Sequence, residues 1–313
     1  PENHRIIQEI RAVLEEYDNR VLIGETFIDN RLYDSVIFHG VNNDELHLAI
    51  TFEFPFSPWY PGYLQREIDK NEIITQPGAW PCYFLDNHDI PRHLSRWRES
   101  RMCVDSEAIA KAAATLLLTV RGTPLLYYGQ ELGMVDNTDI PEDKLQDHAV
   151  SQSDTEETPP SRDGARTPMQ WDNSPQAGFS FGKDIEPWLP VNANHPEVNV
   201  QTALQKPDSI LNFYRRLLRI RKQSEALRRG KWRTLVNYPH EHMVYLRETK
   251  TEIVLVAINF SYEQPFKRDV DIDCESWTVL LSTHYETSKV IDLADNLQPF
   301  EVSILQKIRQ SSI

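Results

Sequence analysis

The sequence predicts an α/β fold of parallel strand–helix units, followed by a small antiparallel β-domain. Three observations predict it. Short apolar runs at Val21–Gly24, Pro81–Leu85 and Leu125–Tyr128 are too brief for helices and read as strands covered on both faces. Longer stretches with apolar residues at helical spacing separate them, and strands alternating with helices are the pattern of a parallel sheet. After Trp232 the chain turns to short β-rich runs divided by breaks such as Asn237-Tyr238-Pro239-His240.

In order, residues 3–17 read as a helix, with Ile6, Ile7, Ile10, Val13, Leu14 and Tyr17 at helical spacing and Asn3 as its cap. Val21–Gly24 is a strand, and Glu45–Phe54 reads as another. Residues 59–71 are expected to be helical, before the strand Pro81–Leu85. Residues 105–121 carry the clearest helical pattern: Asp105 or Ser106 caps it, and Ile109, Ala112, Ala113, Leu116, Leu117 and Val120 form its inward face. Leu125–Tyr128 is a fourth strand, stopped by Gly129. A long excursion, rich in proline in its second half, then runs from about residue 130 to 206, and loops of that length in compact domains are usually functional. Residues 208–226 return to helix. Met243–Leu246, Ile253–Asn259, Trp277–Leu281 and Val302–Leu305 read as the strands of the last domain, so the expected division is 1–229 and 230–313.

With 313 residues, 40% apolar and 26% charged, the composition is that of an ordinary globular protein. Lys and Arg number 33 against 47 Asp and Glu, and a net charge of −14 argues against a nucleic-acid partner. Much of the excess lies in residues 136–163, where Asp136, Asp139, Glu142, Asp143, Asp147, Asp154, Glu156, Glu157 and Asp163 face only Lys144 and Arg162; the run reads as a solvated loop. No apolar run approaches the roughly 18 residues of a membrane span, so no membrane partner is expected. Cys82, Cys103 and Cys274 contain no CxxC pair, which points away from a disulfide framework or zinc site and toward a reducing, cytoplasmic setting. The opening Pro1-Glu2-Asn3-His4-Arg5 is polar and lacks methionine, so no signal peptide is expected and the chain is expected to begin within a longer protein.

The chemistry is expected at two strand ends. Tyr83-Phe84-Leu85 stops abruptly at Asp86-Asn87-His88-Asp89, and Pro91 keeps the strand from continuing. Barrels and open α/β sheets keep their reactive groups at such carboxyl ends. Val21-Leu22-Ile23-Gly24 ends in the same way, at Glu25. Retaining cleavage of a glycosidic bond uses two carboxyl groups about 5–5.5 Å apart, one protonated and one ionised. Glu25 suits the acid, since partial burial after an apolar strand would raise its pKa. It could equally cap the next loop or pair with an arginine. Asp89 suits a carboxylate that grips sugar hydroxyls as the ring flattens, with His88 as a neighbouring donor; a structural hydrogen bond is the other reading of a His–Asp pair.

Val21-Leu-Ile-Gly-Glu25-Thr, Phe84-Leu-Asp-Asn-His88-Asp89 and Gly122-Thr-Pro-Leu-Leu-Tyr-Tyr-Gly-Gln-Glu131 fall in an order that resembles the later motifs of the α-amylase superfamily, glycoside hydrolase family 13. Arg162-Asp-Gly-Ala-Arg166-Thr-Pro-Met-Gln-Trp171-Asp172 resembles its α-glucosidase, oligo-1,6-glucosidase and trehalose-synthase branch, as do Asp44–Leu48, Pro187–Val191 and Phe213–Leu218. The resemblance implies Glu25 as general acid/base, Asp89 as the transition-state-stabilising carboxylate and His88 as a ligand of sugar hydroxyls. It makes Arg166 the residue closing the blind end of the pocket, paired with an acid from early in the barrel, or else a plain loop salt bridge. Glu131 and Trp171 read as structural.

The family barrel has eight strands, and four are expected here. The Gly-Phe-Arg-x-Asp pattern that carries the family's nucleophile is absent, as is the early Asp-x-x-x-Asn-His motif. The fold implied is therefore the C-terminal half, strands 5–8, of a (β/α)8 TIM barrel plus the trailing β-domain, with sheet edges and apolar side chains left uncovered. The expected function is hydrolysis of α-glucosidic bonds in malto- or isomalto-oligosaccharides, with this chain inactive until the N-terminal half-barrel completes the site. A transglycosylase or isomerase of the same branch is the alternative, and a non-catalytic amylase-like protein a more distant one. No cofactor is expected; calcium, where the family binds it, generally involves the half that this chain lacks.

Overall fold

The computed structural model describes residues 2–26, 34–75, 77–98, 105–147, 161–180, 182, 185–236, 240–267, 272–273, 275–293 and 296–309. In chain order the elements are α1 (Glu2–Leu14), β1 (Ile23–Glu25), α2 (Asp34–Ile37), β2 (Leu48–Thr51), α3 (Glu53–Phe56), α4 (Pro61–Ile74), β3 (Cys82–Phe84), α5 (His93–Arg98), α6 (Ser106–Thr119) and β4 (Thr123–Leu125). After a stretch whose described residues hold only short 3-10 turns come α7 (Val200–Gln205), α8 (Ile210–Gln223) and α9 (Glu225–Arg229). The remainder is β5 (Lys231–Thr234), β6 (His242–Glu248), β7 (Glu252–Asn259), β8 (Phe266–Lys267), β9 (Trp277–Ser282), β10 (Val290–Ile291), β11 (Asn296–Leu297) and β12 (Val302–Ile308). Two compact units result: Pro1–Phe84 with Ala112–Leu125 and Leu217–Ile313, and Leu85–Lys111 with Leu126–Arg216.

The first unit contains both main sheets. One is a parallel sheet ordered β1-β2-β3-β4, as consecutive βα units dictate. Its inner strand β3 is wholly buried, and Phe54 and Phe52 meet Tyr83 and Phe84 edge-on. The other is an antiparallel sheet ordered β10-β9-β12-β7-β6-β5, whose cluster of Val244, Leu246, Leu255, Ala257, Trp277, Val279 and Leu305 forms a dry core. Asp69 on α4 accepts hydrogen bonds from the Trp232 indole at 2.8 Å and the Thr234 hydroxyl at 2.7 Å. Arg247 of β6, buried, gives its guanidinium to the carbonyls of Gly230 and Thr119, and burial brings its pKa down to about 9.

Several boundaries differ from those expected. β2 stops at Thr51 and the chain winds into α3, where the sequence reading ran one strand to Phe54. β4 is Thr123–Leu125 rather than Leu125–Tyr128, because parallel pairing sets Leu125 opposite Phe84 and the two strands end level. α1 begins at Glu2, so Asn3 lies inside its first turn and is not its cap. Asp105 is the cap of α6, its carboxylate accepting the Glu107 and Ala108 amides at 3.0 Å. The inward face expected for α6 is buried as read. The apolar face of α1 is not: Ile6, Ile10 and Val13 are each about half exposed, and no residue of α1 is buried.

In the second unit, Leu132, Met134 and Met169 form a small core with Tyr128, Val198, Val200 and Leu211. The Gln130 amide donates to the buried Tyr214 hydroxyl at 2.7 Å. Asn199 caps α7 through the Thr202 amide. Cys82 is buried, and Cys103 and Cys274 lie outside the described residues. Among the described residues no helix is long and apolar enough to cross a membrane.

Candidate active site

Two strand ends carry the candidate acids. β1 is the edge of the parallel sheet, in register with β2 so that Glu25 stands opposite Ile50. Gly24, just before it, lies so close to the buried Leu46 that any Cβ would strike the leucine methyls. Glu25 itself is exposed. The partial burial expected of it is therefore not supplied by the described residues: β1 has a sheet neighbour on one side only, and residues 27–33, which follow it, lie outside them.

The second end is a polar turn after β3, in the other unit. Asp86 is buried and anchors the turn. Its carboxylate accepts the His93 backbone amide and, at 2.7 Å, His93 Nδ1, with Arg96 at 3.6 Å. Burial alone would raise this carboxyl, but the charge and hydrogen bonds of His93, together with Arg96, hold it below its ordinary range. Asn87 Oδ1 accepts the amides of Asp89 and Ile90 at 2.9 and 3.0 Å, an Asx turn that fixes how Asp89 projects. Arg92, fully buried, donates to the carbonyls of Tyr128 at 2.7 Å and Ala165 at 3.0 Å, while its amide donates to Asp136. Its guanidinium lies over the rings of Tyr127 and Tyr128, 5.0 Å from each centroid.

Asp89 is thereby presented to two arginines. Its Oδ1 accepts Arg162 Nη1 at 2.7 Å and Arg166 Nη2 at 3.1 Å, and His88 Nε2 stands 3.2 Å from Oδ2. Arg166 is pinned by its Nε–H to the His88 carbonyl at 2.7 Å. Arg162 is held from behind: Asp147 takes its Nε at 2.8 Å and Nη2 at 2.7 Å, a bidentate pair. The bonds to Asp147, and then to Asp89, push the Arg162 pKa up still further. Asp163, fully buried, accepts the amides of Gln146 and Asp147 at 2.6 and 2.9 Å and so sets Asp147 in place.

The structure thus joins three of the residues singled out, His88, Asp89 and Arg166, and leaves Glu25 in the other unit. It adds Arg162 and Asp147, which sequence reasoning missed. The acidic run is solvated only in part: Asp139, Glu142 and Asp143 are exposed as expected, whereas Asp147 and Asp163 are buried and hydrogen-bonded, and Asp154, Glu156 and Glu157 lie outside the described residues. Among the described residues the carboxylate partner of Arg166 is Asp89. Trp171 is half exposed and contributes its backbone, pairing with Ala177 and Gln201. Among the described residues no group of three or more acids, histidines and cysteines could hold a metal ion.

Comparison with known proteins gives the class first. The profile described as Alpha amylase, catalytic domain, matches residues 1–230, ending one residue before β5, and the chain belongs to that family. Within it, the chain falls in the α-glucosidase and trehalose-synthase-like branch. It is 32% identical over 336 residues to an oligo-1,6-glucosidase of Heyndrickxia coagulans, covering 97% of this chain and 58% of that protein. It is 37% identical over 226 residues to a glucan 1,6-alpha-glucosidase of Streptococcus pneumoniae, covering 68% of this chain and 40% of that one. The trehalulose synthase of Pseudomonas mesoacidophila superposes with a TM-score of 0.85 at 30% identity, covering 99% of this chain and 59% of that one. An isomaltulose synthase mutant of Erwinia rhapontici, solved with sucrose, gives 0.82 at 30%, covering 98% and 58%. The chain therefore spans a little under three-fifths of the length of the oligo-1,6-glucosidases and synthases that it matches.

Proposed function

We propose that the chain carries the acid/base and stabilising-carboxylate portion of a retaining α-glucoside hydrolase acting on short α-glucans. The observation that supports it most is the clamp on Asp89. Two guanidiniums occupy Oδ1 and leave Oδ2, beside His88, to accept a sugar hydroxyl. A hydroxyl hydrogen bond of this kind strengthens as the ring becomes oxocarbenium-like, and that difference between ground and transition state is what accelerates cleavage. His88 binds a neighbouring hydroxyl, and Arg166 and Arg162 hold Asp89 without touching the bond that breaks. Glu25, at a strand end, protonates the leaving oxygen and later activates water. The nucleophile is supplied by polypeptide outside these 313 residues, the half-barrel that completes the site.

The test uses an aryl α-glucoside. The isolated chain is expected to give no turnover. The chain joined to the N-terminal half of a related oligo-1,6-glucosidase is expected to hydrolyse the substrate, and Glu25→Gln to abolish that. Turnover by the isolated chain, or indifference of the joined protein to Glu25→Gln, would overturn the proposal.

Isomerisation is the second reading, favoured by the likeness to trehalulose and isomaltulose synthases. Product analysis separates the two: free glucose marks hydrolysis, and an isomeric disaccharide marks transfer.

A further inference from the structure

The second unit contains another hollow, of about 340 Å3, at the lower end of the range of small-ligand clefts. None of His88, Asp89, Arg162 or Arg166 lines it. Its wall displays Trp188, the most exposed of the seven tryptophans at 67%. That display is built. Pro187 and Pro190 restrict the backbone on either side, and Leu189 between them is buried. Leaving so large an aromatic face in water forfeits burial free energy, so a rigid mount that holds it outward calls for an occupant.

The polar lining indicates which kind. His195 Nδ1 lies 3.1 Å from the Asn192 carbonyl, to which it donates, so Nε2 is left as an acceptor. Among the described residues neither the Asp143 carboxylate nor the Gln176 amide makes a side-chain hydrogen bond. Among the described residues Lys144 is the one Lys or Arg of the lining, and it is paired with Glu186 at 3.0 Å. A phosphate or nucleotide would need uncompensated cations, and a wholly apolar ligand would strand these polar groups without partners. An aromatic plate beside a neutral amide, an imidazole acceptor and a carboxylate matches a molecule with a C–H face and a rim of hydroxyls.

We propose that this hollow is an accessory saccharide-binding site, in which a pyranose ring stacks on Trp188 while its hydroxyls bond to Asp143, Gln176 and His195. It rests on the reading of the chain as acting on α-glucans. A second point of attachment raises the effective concentration of a longer glucan without entering the chemistry.

The experiment reads binding, not turnover. The full chain is labelled with 5-fluorotryptophan, which gives one 19F signal for each of seven tryptophans, and Trp188→Phe or Trp188→Ala identifies the signal of Trp188. Isomaltotriose and maltotriose are the probes. The Trp188 signal is expected to move and saturate with a Kd on the order of millimolar, and Gln176→Ala to weaken binding about three- to tenfold, the worth of one hydrogen bond. A Trp188 signal that stays fixed while the protein is folded, or one whose shift disappears in Glu25→Gln, overturns the site. Glu25→Gln leaving the titration unchanged separates it from the proposed chemistry: retained binding in a joined protein whose turnover is indifferent to Glu25→Gln faults the catalytic reading alone, and Glu25-dependent turnover without binding faults this site alone.

Discussion

Arg162 joins Asp89 to Asp147: its Nη1 lies 2.7 Å from Asp89 Oδ1 and its Nη2 2.7 Å from Asp147 Oδ1. The fork of one guanidinium thus fixes the orientation of the Asp89 carboxylate. A lysine offers a point charge in place of the fork and cannot serve both acids with the same geometry. In the catalytically complete enzyme, Arg162→Lys is expected to lower kcat/KM by about 10²-fold, the cost of roughly an ångström of misplacement. Asp147→Asn, which keeps one acceptor for the fork, is expected to cost less. Equal losses in steady-state assays of the two variants would contradict a positioning role.

The Asp86–His93 pair tests how the turn after β3 is anchored. Both side chains are buried, with His93 Nδ1 2.7 Å from Asp86 Oδ2. His93→Ala takes the ring from the buried Asp86 carboxylate and leaves it only the backbone amide of residue 93 and Arg96, so the variant is expected to destabilise the protein by about 1–3 kcal/mol. The drop is read as a lower urea midpoint at unchanged slope. A loss below about 1 kcal/mol would mean that the pair is not the anchor.

His242, at the start of β6, gives the pH dependence. Burial, with a smaller push from His240, brings its pKa from 6.5 to about 4. Between those values the unfolded chain holds a proton that the folded chain does not, so folded stability falls as pH drops through that interval. His242→Gln removes the group and is expected to flatten that part of the melting-temperature profile. A variant that loses stability as steeply as the parent would exclude His242 as the source.

Gly24 sets the seat of Glu25. A methyl there meets Leu46, which is buried and cannot easily swing aside. Gly24→Ala is expected to cost about 1–3 kcal/mol by overpacking. Leu46→Ala in the same chain is expected to recover part of that loss, because it clears the space the methyl needs. A double-mutant cycle read by thermal melting measures the recovery, and strict additivity would show that the contact does not exist.

How much of this was legible in the sequence differs from element to element. The parallel strands and α6 were, because a short apolar run or a regular 3.6-residue stripe survives in almost any context. The end of β2 was not: Glu45–Phe54 is apolar enough to continue as strand, yet Glu53–Phe56 turns helical, a choice made by packing of Phe54 against Tyr83. The position of β4 was misjudged because hydropathy marks Leu126–Tyr128 as well as Leu125, whereas pairing with β3 decides where the strand stops. Asp89 and Arg166 were found through their motifs. Arg162 reads in the sequence only as one of two cations, with Lys144, in an acidic run. The available signal was the pair Arg162 and Arg166 on one short 3-10 turn, two guanidiniums in an otherwise acidic neighbourhood.

Arg92 has a consequence for anyone who wishes to retool this scaffold. Its side chain fastens the turn bearing Asp89 to the carbonyls of Tyr128, just before the long excursion, and Ala165, within it. A chimera that imports residues 126–180 from a relative to alter the product would therefore inherit a working turn only if the graft offers carbonyl oxygens at those same two places. Without them the transplanted loop would bury an orphaned cation, and the donor's selectivity would arrive on a recipient unable to display it.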